Sequence, residues 1–83
     1  MADLTQDIAG LVESLVTPLL EHPEELELNA SCQGTEILVE LAVNEEDAGK
    51  VIGRQGRVIK SIRTLARAAA ARGGMHVEVE LVD

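Results

Sequence analysis

The chain has 83 residues, of which 46% are apolar and none is aromatic; this excludes a disordered tail and leaves one small core of aliphatic side chains. Its 7 basic and 15 acidic residues give a formal net charge of −8, which by itself argues against binding to a polyanion. There is no apolar run long enough to span a membrane and no secretory signal pattern, so we expect one cytoplasmic domain over residues 1–83.

The first predicted element is an amphipathic helix over residues 3–20. Apolar residues recur there at helical spacing, at Leu4, Ile8, Leu11, Val12, Leu15 and Leu19. The expected outer face consists of Asp3, Asp7, Glu13 and Ser14. Pro18 falls in the last turn, where a kink is expected, and Pro23 marks the loop that follows.

After this helix, apolar residues recur at every second position instead of every third or fourth. This pattern predicts a β-hairpin with one buried face. Apolar and polar residues alternate over residues 26–32. After a turn at Gln33 and Gly34, the apolar residues Ile37, Val39, Leu41 and Val43 recur at every second position, between Glu36, Leu38 and Glu40. Cys32 falls on the inward side, so we expect a buried thiol. A lone cysteine excludes an internal disulfide, and the spacing of His22 and His76 fits no zinc site, so no metal or cofactor is expected.

Two helices follow the hairpin. Asn44 is a good N-cap for a short helix that runs to about Ile52. The three acidic residues at positions 45–47 are expected to stabilise this helix by placing negative charge at the positive end of its dipole. The next helix is predicted over residues 57–71. Its expected core face is Val58, Ile59, Ile62, Leu65, Ala66 and Ala69. Its expected outer face is Arg57, Lys60, Thr64, Arg67 and Ala71, with Arg63 on the border.

Gly73 and Gly74 close the third helix, and alternation from Met75 to Leu81 predicts a final strand. The order helix, strand, strand, helix, helix, strand predicts an α+β fold. This is a two-layer α/β sandwich in which three helices cover one face of a three-stranded sheet. The pattern leaves the pairing of the third strand open.

The charges are strongly segregated along the chain. All seven basic residues lie between Lys50 and Arg72, and that span contains no Asp or Glu. The remaining residues hold all 15 acids. Such segregation predicts one basic face on an acidic body, which steers a polyanion to one place.

The basic span contains the turn Gly53-Arg54-Gln55-Gly56 between the second and third helices. Glycines let the chain reverse within four residues and let a phosphate backbone approach closely. Because a helix begins at this turn, we expect the amides of about Gln55, Gly56 and Arg57 to be free to bind an anion. Lys50 and Lys60 would add positive charge on either side.

The run Val51-Ile52-Gly53-Arg54-Gln55-Gly56-Arg57-Val58-Ile59 resembles the signature of the KH domain, and the element order is similar to its bacterial, type II arrangement. The segments PLLEHPEEL and GTEILVELAVNEEDAGKVIGRQGRVIKSIRTL extend the resemblance to the small bacterial single-KH proteins of the KhpA type. It implies that residues 53–56 clamp about four nucleotides of single-stranded RNA while Val51, Ile52 and Ile59 support an adjoining groove for the bases.

The same resemblance implies a homodimer, a heterodimer with a larger KH-domain protein, and a role as an RNA chaperone or regulator linked to cell-envelope growth and division. Without aromatic side chains, bases have no stacking platform, so we expect modest affinity per site, which a dimer would raise by avidity.

Two other functions compete with RNA binding. An enzyme of phosphoryl transfer would need a Walker loop, and the chain has neither its spacing nor the length of a nucleotide domain. The serious alternative is a protein-interaction module that dimerises or binds an acidic partner protein. It would use the third helix, through Ala66, Ala68, Ala69, Ala70 and Ala71, with Arg57, Lys60 and Arg67 pairing with acids of the partner.

Overall fold

The elements occur in the predicted order in a computed structural model that describes residues 4–82. The three helices are α1 (Leu4–Val16), α2 (Glu45–Ile52) and α3 (Arg57–Ala71), and the three strands are β1 (Glu27–Gln33), β2 (Glu36–Ala42) and β3 (His76–Leu81). Short 3-10 turns occupy Thr17–Leu19, Pro23–Glu25 and Arg54–Gly56. The fold is therefore the predicted α+β arrangement.

The first helix is shorter than predicted. It ends at Val16, and Pro18 falls in the 3-10 turn that follows, because its ring removes a backbone donor and disfavours a further α-helical turn. The predicted outer residues Asp7, Glu13 and Ser14 are exposed, whereas Asp3 lies outside the described residues.

The sheet has the strand order β1-β2-β3, with β2 in the centre. β2 is antiparallel to β1, with Ala30 opposite Val39, and parallel to β3, with Val39 opposite Val79. The sequence pattern had left the pairing of the third strand open. The strand β3 returns beside β2 because α3 serves as part of the crossover that a parallel neighbour requires.

The core lies between one face of the sheet and the helices. Its fully buried members include Val12 and Val16 of α1, Val39 and Leu41 of β2, and Val51 of α2. In α3 the buried row is Ile59, Ile62, Ala66 and Ala70, at spacings of three and four.

Two predictions of burial are wrong. Leu65 is 50% exposed rather than part of the core, because Ala70 completes the buried row of α3 and Leu65 lies to one side of it. Cys32 is exposed because it lies next to the hairpin turn on an edge strand, which has a neighbouring strand on one side only. No helix within residues 4–82 combines the length and apolar character that a membrane crossing requires.

Candidate nucleic-acid interface

The turn at residues 53–56 joins α2 to α3 through unusual backbone conformations. Gly53 ends α2 with φ of 78°, and its amide donates to the Gly49 carbonyl at 2.8 Å. Gln55 (φ 57°) and Gly56 (φ 74°) are also in the left-handed region. Because glycine enters that region without a steric penalty, the sequence permits a reversal here that most residues would oppose.

The two glycines are needed for different reasons. A Cβ at Gly53 would lie 2.7 Å from the Val58 Cβ and 2.8 Å from the Val58 nitrogen. A Cβ at Gly56 would meet no atom within 4 Å. Gly53 therefore serves close packing between α2 and α3, whereas Gly56 serves only the backbone angle.

The backbone amides of the turn are less available than expected. Gly56 donates its amide hydrogen to the Gly53 carbonyl at 3.2 Å, and Arg57 donates to the Arg54 carbonyl. Two of the three amides expected to bind an anion are thus used within the turn, because the chain continues through a 3-10 turn directly into α3. An anion at this place would be held mainly by side chains.

Three basic side chains surround the turn and have no carboxylate within 4.0 Å among the described residues. They are Arg54, Arg57 and Lys60, and we call them the basic cluster. All three are exposed, and Arg57 Nη2 donates to Gln55 Oε1 at 3.1 Å, which ties it to the tip of the turn. The cluster is a concentrated patch of uncompensated positive charge.

Three of the other four basic residues of the span contact groups of the protein itself. Lys50 Nζ lies 2.9 Å from Glu21 and 3.5 Å from Asp47, and the hydrogen bond to Glu21 raises the pKa of Lys50. Arg63 Nε donates to the Val79 carbonyl at 3.0 Å, and Arg67 lies 3.4 Å from Glu78. Lys50 is thus paired with acids of the protein itself, unlike the basic cluster.

The apolar residues predicted to support a groove divide by exposure. Val51 is fully buried and Ile59 is 7% exposed, so they anchor the turn from beneath. Ile52 is 42% exposed at the end of α2. It is therefore the one of the three that is available to contact a base.

A cleft of about 350 Å³ adjoins α2 at the carboxyl ends of β2 and β3. Its lining is Val43, Glu45, Ala48, Leu81 and Val82. Ala48 precedes Ile52 by four residues and shares its face of α2, so the apolar surface runs along α2 toward the turn. The helical spacing of Ala48 and Ile52 was a signal present in the sequence, whereas the position of Leu81 depends on strand pairing.

Asp47 is a residue whose role sequence reasoning missed. Its side chain is fully buried, and its oxygens accept the amides of Glu21 at 3.0 Å and His22 at 2.9 Å. The bond from Glu21 is the main cause that lowers the pKa of Asp47. Asp47 therefore fastens the loop after α1 to the helix that ends in the turn, while Asn44 caps that helix by accepting the Glu46 amide at 2.8 Å.

His22 lies in the loop after α1, among acidic side chains. Its Nε2 is 2.8 Å from Glu46, and its Nδ1 is 3.8 Å from Glu24 and 3.7 Å from Glu25. The hydrogen bond to Glu46 is the main cause that raises the pKa of His22. Potential ligand atoms of His22, Glu24 and Glu25 lie within 4.8 Å of one another, but both carboxylates are exposed and no metal is assigned.

The sheet face away from the helices is acidic. It carries five carboxylates, from Glu27, Glu36, Glu40, Glu78 and Glu80. Glu40 lies directly opposite Glu80, a pairing of like charges. This face therefore repels a polyanion, whereas the basic cluster carries the opposite charge.

Comparison with known proteins identifies the family of the chain. The family profile described as "KhpA/KhpB, KH domain" matches residues 9–81. The RNA-binding protein KhpA of Clostridium perfringens is 43% identical over 72 residues, covering 87% of this chain and 96% of that protein. The RNA-binding protein KhpA of Bacillus subtilis is 37% identical over 78 residues, covering 94% and 96%.

Two solved structures have the same fold over part of their length. Era from Aquifex aeolicus, bound to GDP·AlF4−, superposes with a TM-score of 0.65 at 20% identity, covering 99% of this chain and 33% of that one. Era in complex with MgGDPNP and nucleotides 1506–1542 of 16S ribosomal RNA gives a TM-score of 0.67 at 23% identity, covering 96% and 30%. This chain spans about a third of Era, and at such identity the likeness concerns the fold alone.

Proposed function

The chain belongs to the KhpA/KhpB KH-domain family, and from this premise we propose that it binds single-stranded RNA at the turn of residues 53–56. The observation that carries the proposal is the basic cluster, three exposed and uncompensated cations around a glycine turn in a protein of net charge −8. Its relatives in Clostridium perfringens and Bacillus subtilis are named as RNA-binding proteins, not as enzymes.

The proposed contacts differ in kind along the site. Arg54 and Gln55 project from the tip of the turn and meet the sugar-phosphate backbone, with Arg57 and Lys60 adding charge beside them. Gly53 and Gly56 let the backbone approach. Bases rest on Ile52 and on the apolar surface that continues to Ala48, while Val51 and Ile59 hold this surface in place. Lys50 acts indirectly, by stabilising α2 through Glu21 and Asp47.

The proposal extends to assembly and cellular role. With no aromatic platform, one site binds modestly, and a homodimer presenting two sites would gain affinity by avidity. The family resemblance further supports a heterodimer with a larger KH-domain protein. It also supports a role as an RNA chaperone or post-transcriptional regulator linked to cell-envelope growth and division.

The test is a double variant, Arg54→Asp with Gln55→Asp. Aspartate tolerates the left-handed backbone of position 55, so the fold is retained. Binding to labelled single-stranded RNA, followed by fluorescence anisotropy, should be abolished, while circular dichroism and the melting curve stay unchanged.

A matched control is Arg72→Asp with Gln33→Asp. It makes the same change in net charge at exposed positions outside the turn. We expect it to bind RNA far better than the turn variant. Equal binding by the turn variant and the wild type would refute the clamp.

One observation favours the alternative of a protein-interaction module. Leu65 is half exposed on α3, flanked on the helix surface by Ser61 and Ala68. The alanine surface expected for that module is smaller than predicted, however, because Ala66 and Ala70 are fully buried. The basic cluster lies on another side of α3, so a second copy docked at Leu65 leaves the RNA site open.

A further inference from the structure

The Arg63 side chain of α3 is anchored to the backbone of β3. Its Nε donates to the Val79 carbonyl at 3.0 Å, and the side chain is partly buried. No other hydrogen bond and no carboxylate within 4.0 Å engages it among residues 4–82. The guanidinium is therefore held by one nitrogen, while the N–H groups of Nη1 and Nη2 remain free to donate to a ligand.

This anchor lies beside the apolar cleft of the RNA site. The Val82 amide bonds to β2, so the Val79 carbonyl, at the opposite parity along the strand, lies on the outer edge of β3. Leu81, which lines the cleft together with Ala48, follows Val79 by two residues, or about 7 Å along the strand. The Arg63 guanidinium is thus a close neighbour of the surface on which bases are proposed to rest.

Arg63 also lies next to the basic cluster. Lys60 precedes it by three residues on α3, a spacing that brings the two Cβ atoms to about 5–6 Å from each other. Arg63 is therefore placed between the cations that meet phosphates and the cleft that receives bases. An RNA strand bound to both passes the free nitrogens of Arg63.

The free donors of Arg63 favour a base that offers two adjacent acceptors. A guanidinium is planar, has donors only, and bonds best to a pair of neighbouring acceptors. Guanine offers O6 and N7, and cytosine offers N3 and O2, on edges that single-stranded RNA exposes. Adenine and uracil have no such pair, because a donor or a C–H group flanks each of their acceptors.

The anchor also distinguishes Arg63 from the exposed arginines of the turn. Arg54 and Arg57 are free to follow a phosphate group, which suits a contact that reads no sequence. The Arg63 guanidinium is already fixed by Val79 before RNA arrives, so less side-chain freedom is lost when a base binds. A donor pair held in place discriminates between bases better than one that moves with its ligand.

We propose that Arg63 reads one base of the bound RNA and selects guanine or cytosine over adenine and uracil through Nη1 and Nη2. This role rests on the proposed RNA site at residues 53–56 and gives that site a base preference. A good bidentate contact of this kind corresponds to a preference of about tenfold.

The first test uses the full chain and fluorescent oligomers of ten uridines, unaltered or with one central guanine, cytosine or adenine. Fluorescence anisotropy should show about tenfold tighter binding of the guanine or the cytosine oligomer than of the uridine and adenine oligomers. If guanine is preferred, 7-deazaguanine, which lacks the N7 acceptor, should abolish the preference. Equal affinity for all four oligomers, or a guanine preference that survives the loss of N7, would overturn the role of Arg63.

The second test is Arg63→Lys, which keeps the charge and removes the planar pair of donors. The ratio of the affinities for the preferred and the uridine oligomers should fall from about ten to about one. Arg72→Lys makes the same change at an exposed position beyond α3 and should keep the wild-type ratio. A purely structural role of Arg63 would weaken both oligomers and leave the ratio unchanged, and that result would overturn the proposal.

A third measurement needs no substitution. The side-chain NMR signals of the Arg63 Nη groups in the wild type should shift with the preferred oligomer and not with the uridine oligomer; unchanged signals would refute the contact. The two proposals fail differently. Loss of all RNA binding by the wild type would overturn the RNA site itself, whereas binding without a base preference would overturn only the role of Arg63.

Discussion

Gly53 and Val58 are in such close approach that a methyl group on Gly53 would lie 2.7 Å from the Val58 Cβ. The contact joins the end of α2 to the first turn of α3. We expect Gly53→Ala to lower the free energy of unfolding by about 1–3 kcal/mol through its backbone angle alone, and further through the clash. Urea denaturation followed by circular dichroism measures this loss.

Gly56→Ala provides the comparison. Its added methyl group meets no atom within 4 Å, so only the positive φ contributes, at about 1–2 kcal/mol. Gly53→Ala should therefore be the more destabilising variant. Val58→Ala should relieve it only in part, because it removes the close contact with Val58 Cγ2 but keeps the Cβ at 2.7 Å and the backbone nitrogen at 2.8 Å. Equal losses at the two glycines would contradict the packing role of Gly53.

Local sequence patterns predicted the ends of α2 and α3 well, whereas the burial of individual side chains was harder to predict. Periodicity and caps gave the ends of α2 and α3 because both depend on neighbours within about four residues. The exposure of Leu65 and Cys32 depends on which elements cover them, and no local pattern records that. The role of Asp47 depends on amides 25 and 26 residues earlier in the chain.

Asp47→Ala should destabilise the fold more than the exposed neighbouring change Glu45→Ala. It leaves the amides of Glu21 and His22 without their acceptor and removes a partner of Lys50. Thermal melting at pH 7 gives the ranking.

The stabilisation of the fold by Asp47 should also depend on pH. Because the pKa of Asp47 is held below its ordinary value of 3.8, the stabilisation is present above that pH and disappears as the pH falls through the lowered folded-state value. The gap in melting temperature between wild type and Asp47→Ala should therefore narrow on acidification. A gap that stays constant down to strongly acidic pH would contradict the role of the charge.

His22 should show the opposite pH dependence. The pKa of His22 is raised above 6.5, first by the bond to Glu46 and then by the charges of Asp47, Glu46 and Glu25. Its stabilising effect is complete below pH 6.5 and is lost as the pH rises through the raised folded-state value. The difference in melting temperature between wild type and His22→Gln should shrink from pH 5.5 to pH 8.5, and a difference that grows over this interval would be inconsistent with the acidic surroundings.

Leu65 provides a test of the proposed homodimer. Because its side chain is half exposed, Leu65→Glu leaves the core intact and places a charge on the face of α3 away from the basic cluster. If the two copies meet through this face, sedimentation analysis should show a shift from dimer to monomer with little change in melting temperature. A variant that remains dimeric would place the dimer contact elsewhere.

Lys60 and Lys50 are a matched pair for testing how RNA is held. Lys60 has no carboxylate within 4.0 Å among residues 4–82, whereas Lys50 is paired with Glu21 and Asp47. With about four phosphates neutralised, the logarithm of RNA affinity should fall with the logarithm of salt concentration at a slope of about −3. Removing one phosphate contact should make this slope less steep by about 0.7. Lys60→Met should therefore change the slope by that amount, and Lys50→Met should leave it as in the wild type.

Two outcomes would contradict this account. A wild-type slope near zero would favour the protein-interaction module, and an equal effect of the two variants would show that the ion pairs of Lys50 open when RNA binds.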